Sequence, residues 1–320
     1  MDNREIQRIA VIGAGTMGHG IALEFAAFGY DVALHDRDAG QLERAQSNMA
    51  EGLDRLVAVG RISAETARNA PANISQSVDL KAVVFGSDLV VEAVAENLDV
   101  KRDLFRQLDA LAPERAIFAS NTSTFMPSLL AAETRRPDKV LVAHYFNPPH
   151  LLPLVELVRG VSTSNATIAV VRDLYLSIGK APAVVQKEAP GFVGNRIQAA
   201  IFRESLAIVA AGIASIEDVD AIVRNGFGRR LGVAGPFEIA DAAGLDVKLA
   251  VCEQLFPEIE SSTQTPELLR ETVARGDLGT KTGKGYYAWT PEEAAALRQR
   301  ISDGLSALAR LNDGKQPHQD

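Results

Sequence analysis

Four polar residues stand where proton transfer at a carbon–oxygen bond could be run: His144, Glu156, Ser123 and Asn195. An imidazole titrates near about 6.5, so His144 can accept an alcohol proton at neutral pH. It must be held in one tautomer and stabilised when charged. A carboxylate does both, and Glu156 is the candidate. Ser123 and Asn195 could hydrogen-bond the substrate oxygen. Far upstream, Gly13, Gly15 and Gly18 form G-x-G-x-x-G between the apolar run Ile9–Ile12 and a stretch where Ile21, Ala22, Phe25 and Ala26 recur at helical spacing. Strand, glycine turn and helix in that order suit a dinucleotide pyrophosphate. Gly13 allows the tight turn, Gly15 lets the backbone approach phosphate, and Gly18 lets helix pack on strand. Together these residues imply hydride transfer: His144 takes the hydroxyl proton while the carbinol hydride goes to a nicotinamide.

Asp36 ends the second strand-like run, about 20 positions after the first glycine, the spacing of a ribose-binding carboxylate. It favours NAD over NADP, since a carboxylate repels a 2′-phosphate; the adjacent Arg37 argues the other way. Candidate cofactor contacts in the turn are Gly13, Gly15, Thr16, Met17 and Gly18.

The elements that must position these residues alternate. Strands are read at Ile9–Ile12, Tyr30–Asp36, Asp88–Val94, Ala116–Ser120 and Val140–Ala143, with a short one near Asn73–Ser75. Further strands follow at Leu154–Val158 and Ala183–Val185. Helices are read at 40–59, 64–68, 98–111 and 165–178, with Ser63 as an N-cap. The alternation predicts an α/β fold, a Rossmann-type doubly wound parallel sheet, with a helical insertion near 40–70. Ligands of such sheets bind at the carboxyl ends of the strands. There stand Glu92, Glu96, Asn97 and Lys101, then Ser120, Asn121, Thr122 and Ser123, then His144 and Asn147. Asn121 is counted with the cofactor candidates.

From residue 193 onward strand signals vanish, and helices are expected at 193–211, 216–225, 236–256 and 265–275. The expected division is a dinucleotide-binding domain over 1–188, a smaller all-α domain over 189–290 and a helical tail over 291–320. The helix from Val193 is apolar on more than one face, which predicts burial, both within its domain and across a homodimer interface.

The 320 residues carry 33 Lys and Arg against 41 Asp and Glu, a net charge of −8 that argues against nucleic-acid binding. The single cysteine, Cys252, excludes an internal disulfide and a thiol zinc cluster, and no metal is expected. The start Met-Asp-Asn-Arg-Glu has no apolar leader and no run approaches the ~20 residues of a membrane helix. A soluble cytoplasmic protein without membrane association is expected. Plainer roles compete for some residues. Ser123 could cap a helix and Asn195 could cap or line a hinge. His19 and His35 read as structural or supporting, while His150 and His318 read as incidental.

The motifs taken together resemble the 3-hydroxyacyl-CoA dehydrogenase family. The matching stretches are Gly13-Ala-Gly-Thr-Met-Gly-His-Gly-Ile-Ala, Val91-Glu-Ala-Val-Ala-Glu-Asn-Leu, Ala119-Ser-Asn-Thr-Ser and His144-Tyr-Phe-Asn-Pro. Downstream follow Leu154-Val-Glu-Leu-Val, Pro190-Gly-Phe-Val-Gly-Asn-Arg, Gly235-Pro-Phe-Glu, Gly244-Leu-Asp and Lys281-Thr-Gly-Lys-Gly-Tyr-Tyr. The resemblance implies a catalytic His144–Glu156 dyad assisted by Ser123 and Asn195. It implies NAD contacts at Asp36, Glu96, Lys101, Asn147 and Lys281, and dimers through the helical domain.

Two departures bear on the substrate. The resemblance implies lysines in the insertion for CoA phosphates, yet Arg44 to Arg68 contains none, and Arg55 and Arg61 are its interior cations. The segment Asn147-Pro-Pro-His-Leu-Leu-Pro-Leu-Val-Glu and the helix after Trp289 are more similar to carnitine and gulonate dehydrogenases. Gly244-Leu-Asp and the Lys281 loop are similar to the CoA branch. The expected reaction is reversible NAD-dependent oxidation of a 3-hydroxyacyl-CoA in fatty acid metabolism. Oxidation of a small free hydroxy acid is the alternative, and a non-catalytic NAD-binding protein is the rival from another class.

Overall fold

Short Val, Ile, Leu and Ala runs become strands, and the helix-periodic stretches between them pack on both sheet faces. The computed structural model describes residues 6–312; His318 and the end of the 291–320 tail lie outside the described residues, as does the leader position 1–5. The chain divides into two compact units. One holds the residues up to Asn195 together with those from Leu305 on, and the other holds Arg196–Gly304.

The first unit contains β1 (Arg8–Ile12), β2 (Asp31–His35), β3 (Ile74–Ser77), β4 (Leu89–Glu92), β5 (Ile117–Ser120), β6 (Val140–Tyr145), β7 (Leu154–Arg159) and β8 (Ala181–Val185). They form one sheet in the order β3-β2-β1-β4-β5-β6-β7-β8. The helices between them are α1 (Gly18–Ala27), α2 (Ala39–Ala58), α3 (Ala64–Asn69), α4 (Leu80–Val84), α5 (Leu98–Leu111), α6 (Pro127–Ala131) and α7 (Asn165–Ser177). Side chains alternate across a strand. Ile9 and Val11 therefore join one core with Phe25 of α1, Leu53 of α2 and Tyr175 of α7. Ala10 and Ile12 join the other with Val84 of α4, Phe105 of α5 and Leu130 of α6. The insertion is α2 and α3, with the Ser63 hydroxyl accepting the Thr66 N–H.

One feature differs from the expected parallel sheet. β7 runs antiparallel to β6, while β8 is again parallel to β7. A parallel neighbour needs a crossover of a dozen or more residues, and the 146–153 loop is too short for one. The reversal has a chemical consequence: it sets His144 opposite Glu156 in register.

The second unit is helical: most of α8 (Gly194–Ala210), then α9 (Ile216–Asn225), α10 (Phe227–Leu231), α11 (Pro236–Ala243), α12 (Leu245–Leu255), α13 (Glu267–Ala274) and the first part of α14 (Pro291–Asn312). The helix expected over 236–256 is broken at Gly244, whose φ of +92° no helix accommodates. In the single chain α8 buries only Leu206, and α11 and α12 bury no residue. Among the described residues no helix is long and apolar enough to cross a membrane.

Candidate active site

The glycine turn is built at the end of β1. Gly13 has φ +102°, and a Cβ there would lie 2.5 Å from the Ala93 carbonyl oxygen. A Cβ on Gly18 would lie 1.7 Å from the Gly13 oxygen, so both positions are closed to a side chain. At Gly15 a Cβ would meet nothing within 4 Å, which leaves that stretch of backbone open to a ligand. The first turn of α1 has no acidic residue and no side-chain cap. Its N–H groups can thus receive a phosphate. Thr16 is exposed and Met17 half-buried. Asp36 braces the turn, its carboxylate accepting the Ala14 N–H at 2.9 Å and the Asp38 N–H at 3.1 Å. A carboxylate has lone pairs to spare for a ribose hydroxyl beyond these two. Arg37 beside it is exposed.

The next strand ends carry a second set of anchored carboxylates. Glu92, buried at the end of β4, accepts from Lys101 Nζ at 2.6 Å, from the Val94 N–H at 2.8 Å and from the Ser120 hydroxyl. Lys101 also lies 3.3 Å from Glu96. It is fully buried, and its ammonium braces Glu92 and Glu96. Glu96 accepts from the Thr122 and Thr124 hydroxyls and from the Ser123 N–H at 3.0 Å. Burial works to raise the Glu96 carboxyl, but Thr122, Lys101 and Thr124 outweigh it and hold it below the ordinary carboxylate range. The Asn121 side chain accepts the Tyr145 N–H at 3.0 Å, joining the end of β5 to β6. Asn147 is exposed in the loop after β6, and Lys281 is exposed in the second unit.

His144, Glu156, Ser123 and Asn195 lie together. His144 Nδ1 is 2.7 Å from Glu156 Oε2, and both side chains are buried. An ionised carboxylate only accepts, so this contact puts the proton on Nδ1 and leaves a lone pair on Nε2. The Ser123 hydroxyl, 3.1 Å from Nε2, donates to that lone pair. Asn195 Nδ2 donates to the Ser123 carbonyl at 3.2 Å. Phe146 and Phe192 flank the imidazole with ring centroids at 4.8 and 5.5 Å.

Glu156 is held from its other side. Its Oε1 accepts the N–H groups of Val193 at 3.1 Å and Gly194 at 2.9 Å, where α8 begins. A carboxylate there is favoured by the helix dipole. Burial works to lift the Glu156 carboxyl, but the His144 hydrogen bond and the two N–H groups outweigh it and keep it below its ordinary 4.5. The turn presenting those groups is strained: Phe192 is buried with φ +52°, a region costly for a large side chain. A Cβ on Gly194 would strike the Phe146 ring at 2.5 Å. Among the described residues no cluster of His, Cys, Asp and Glu could hold a metal.

Glu92 and Thr122, read at the strand ends without an assigned role, and Thr124, which was not singled out, act behind the site. For Glu92 the available signal was a charged residue closing an apolar strand, a break in an apolar pattern like the one that singled out Glu156. The insertion's cations are also resolved. Arg61 is turned inward, 3.7 Å from the buried Glu24, and donates to the Ile178 and Gly179 carbonyls. Arg44 pairs with Asp38 and Gln41. Arg55 is exposed.

Comparison with known proteins adds three findings. The sequence model for the NAD-binding domain of 3-hydroxyacyl-CoA dehydrogenase matches residues 8–189, and that for its C-terminal domain matches residues 191–289. The chain is 38% identical over 284 residues to 3-hydroxybutyryl-CoA dehydrogenase of Clostridioides difficile, covering 88% of this chain and 98% of that one. It is 35% identical to 5-formyl-3-hydroxy-2-methylpyridine 4-carboxylate 5-dehydrogenase of Mesorhizobium japonicum, covering 97% of this chain and 100% of that one. A solved structure of that dehydrogenase, described as an NAD+-dependent dismutase, aligns with a TM-score of 0.91. The (S)-3-hydroxybutyryl-CoA dehydrogenase of Ralstonia eutropha aligns at 0.74 with 38% identity, covering 89% of this chain and all of that one.

Two outcomes are expected from this geometry. Gly18→Ala pushes a methyl into the Gly13 carbonyl and should weaken NAD binding in a fluorescence titration by at least about tenfold, equal to ~1.4 kcal/mol; unchanged affinity would show that the turn can relax. The second concerns His150, whose ring burial lowers from 6.5 to about 4. A depressed histidine binds its proton only in the unfolded chain, so its stability contribution is complete above 6.5 and is lost as pH falls towards 4. The thermal midpoint should therefore decline between pH 6.5 and 5, and His150→Leu should flatten that decline.

Proposed function

The chain belongs to the 3-hydroxyacyl-CoA dehydrogenase family, and from that premise we propose that it oxidises the hydroxyl of a 3-hydroxyacyl-CoA to the 3-oxo compound, with His144 as general base. It is an NAD-dependent oxidoreductase of that family. The observation that carries the mechanistic reading is the imidazole held between Glu156 and Ser123.

When bound, NAD supplies the hydride acceptor. Gly13, Gly15 and Gly18 with the α1 N-terminus would hold its pyrophosphate, and Asp36 its ribose. The chain's own residues handle the proton. A substrate hydroxyl taking the place of Ser123 Oγ at Nε2 gives up its proton there. Positive charge then develops on the ring, and the Glu156 carboxylate 2.7 Å away stabilises it. Ser123, released from Nε2, can donate to the substrate oxygen, and Asn195 steadies the Ser123 backbone. In the reverse direction the imidazolium returns the proton to the carbonyl oxygen.

A second reading keeps this chemistry and changes the handle: a small free acid in place of the CoA thioester. Two observations favour it. Arg61 is consumed by Glu24, so one of the insertion's interior cations is not available to a nucleotide phosphate. The solved pyridine-carboxylate dehydrogenase aligns with a TM-score of 0.91, against 0.74 for the Ralstonia CoA enzyme. The former enzyme's name denotes a free pyridine carboxylate.

NADH formation on 3-hydroxybutyryl-CoA beside a panel of free hydroxy acids and hydroxymethyl or formyl aromatic acids separates the two. Turnover confined to the free acids removes the CoA handle, and NAD binding with no turnover on any member removes catalysis. His144→Gln should lower kcat by roughly 10²–10⁴-fold; a near-normal rate would remove it as base.

The helical region is also read as a homodimer surface. Phe237, Phe256 and Leu245 stand 85%, 67% and 62% exposed in the single chain. Large apolar residues left in water at this density call for a partner surface. Light scattering should give roughly twice the 34.2 kDa chain mass. Phe237→Asp should shift the protein towards monomer, and a monomeric wild type would contradict the reading.

A further inference from the structure

Behind the active site lies a buried cluster of charge that the proton transfer does not use. Glu24, in the middle of α1, is fully buried, and so is the Lys180 ammonium 2.9 Å from its Oε2. Arg61, from the turn between α2 and α3, approaches the other carboxylate oxygen at 3.7 Å. Burial pushes Glu24 up and Lys180 down, and each group opposes that shift in the other. Isolated burial of such groups is costly, and a well-packed apolar pair would be cheaper for stability alone.

What the cluster holds gives it a role. Lys180 Nζ donates to the carbonyl oxygens of Pro149 and of Leu152, the latter at 3.0 Å, and lies 5.3 Å from the centre of the Tyr145 ring. Tyr145 follows the base in sequence. Pro149 and Leu152 belong to the 146–153 loop, which carries Phe146 against the imidazole and Asn147 at the exposed tip. The same loop seats on the first turn of α1: a Cβ on Gly20 would lie 2.5 Å from Pro149 Cγ. Arg61 extends the tie by donating to the carbonyls of Ile178 and Gly179, just before Lys180. One carboxylate thus joins the cofactor-binding helix, the helical insertion and the loop behind the base.

We infer that the Glu24–Lys180–Arg61 triad is a positioning device for the reaction, locking the 146–153 loop against α1 so that the base and the glycine turn keep a fixed separation. The inference rests on the proposed alcohol oxidation. Hydride and proton must leave one carbinol in a single geometry, and a shift of about 1 Å can cost about a hundredfold in rate. The three side chains act only through the loop and α1, so they position and do not react.

The test uses the full-length protein. Lys180→Met removes both hydrogen bonds to the loop but leaves the buried Glu24 with Arg61 alone, at 3.7 Å. The double variant Glu24→Gln with Lys180→Met removes them without leaving a buried Glu24 carboxylate, while Arg61 keeps its bonds to the Ile178 and Gly179 carbonyls, and it should fold where the single variant fails. In the double variant kcat should fall by roughly 10–100-fold while NAD affinity, read by fluorescence titration, stays at the wild-type value. Hydrogen exchange should accelerate at the Leu151 and Leu152 amides, which bond to the Pro148 carbonyl, and not in α5. Wild-type kcat in a folded double variant overturns the inference. So does a loss of kcat that follows the thermal midpoint with no change in loop exchange. If the wild-type enzyme turns over no hydroxy substrate, the functional reading fails first and this inference fails with it; loss of activity in His144→Gln beside a fully active double variant sinks the triad alone.

Discussion

An ionised carboxylate in a dry strand is tolerated only if its oxygens are met by donors, and Glu156 is where this protein meets that condition. One oxygen faces His144 and the other takes two N–H groups at the start of α8. A lone carboxylate at this depth would take up a proton instead of staying charged. Everything else in the site follows from keeping it ionised. Its charge selects the Nδ1–H tautomer of His144, which in turn leaves Nε2 as the acceptor. The left-handed Phe192 and the side-chain-free Gly194 allow the two N–H groups to point back at β7.

The same solution recurs along the carboxyl edge of the sheet. Glu92 and Glu96 share Lys101 and between them order Ser120, Thr122, Ser123 and Thr124. Asp36 ties the glycine turn to the end of β2, and Glu24 ties α1 to the loop after β6. His144, the Ser123 amide and the glycine turn are each backed by a carboxylate whose own donors are fixed by neighbouring elements. Such preorganisation is what lets a site stabilise developing charge without reorganising when it appears.

The order of elements and the Rossmann-type sheet were legible because apolar runs, glycine turns and helical periodicity are local signals. So was the interest of His144 and Glu156, since a histidine closing one strand and a carboxylate inside the next both break an apolar pattern. The antiparallel turn of β7 was less legible, because its residues are as apolar as a parallel strand's; only the shortness of the 146–153 connection carried the information. The pairing of Lys101 with Glu92 and Glu96 was not legible, because it is set by how β4 and α5 pack. Only the fold brings Arg61 and Lys180 to Glu24. That pairing spans 156 positions between Glu24 and Lys180 and has no local trace.

The account turns on which nitrogen of His144 carries the proton before substrate arrives. Nitrogen-15 NMR of the imidazole, in the wild type and in Glu156→Gln, reads this directly. The wild-type ring should be the Nδ1–H tautomer with an unprotonated Nε2, and Glu156→Gln should lose that single population. A wild-type ring protonated at Nε2 would contradict the account, because no lone pair would then face the hydroxyl it is meant to deprotonate.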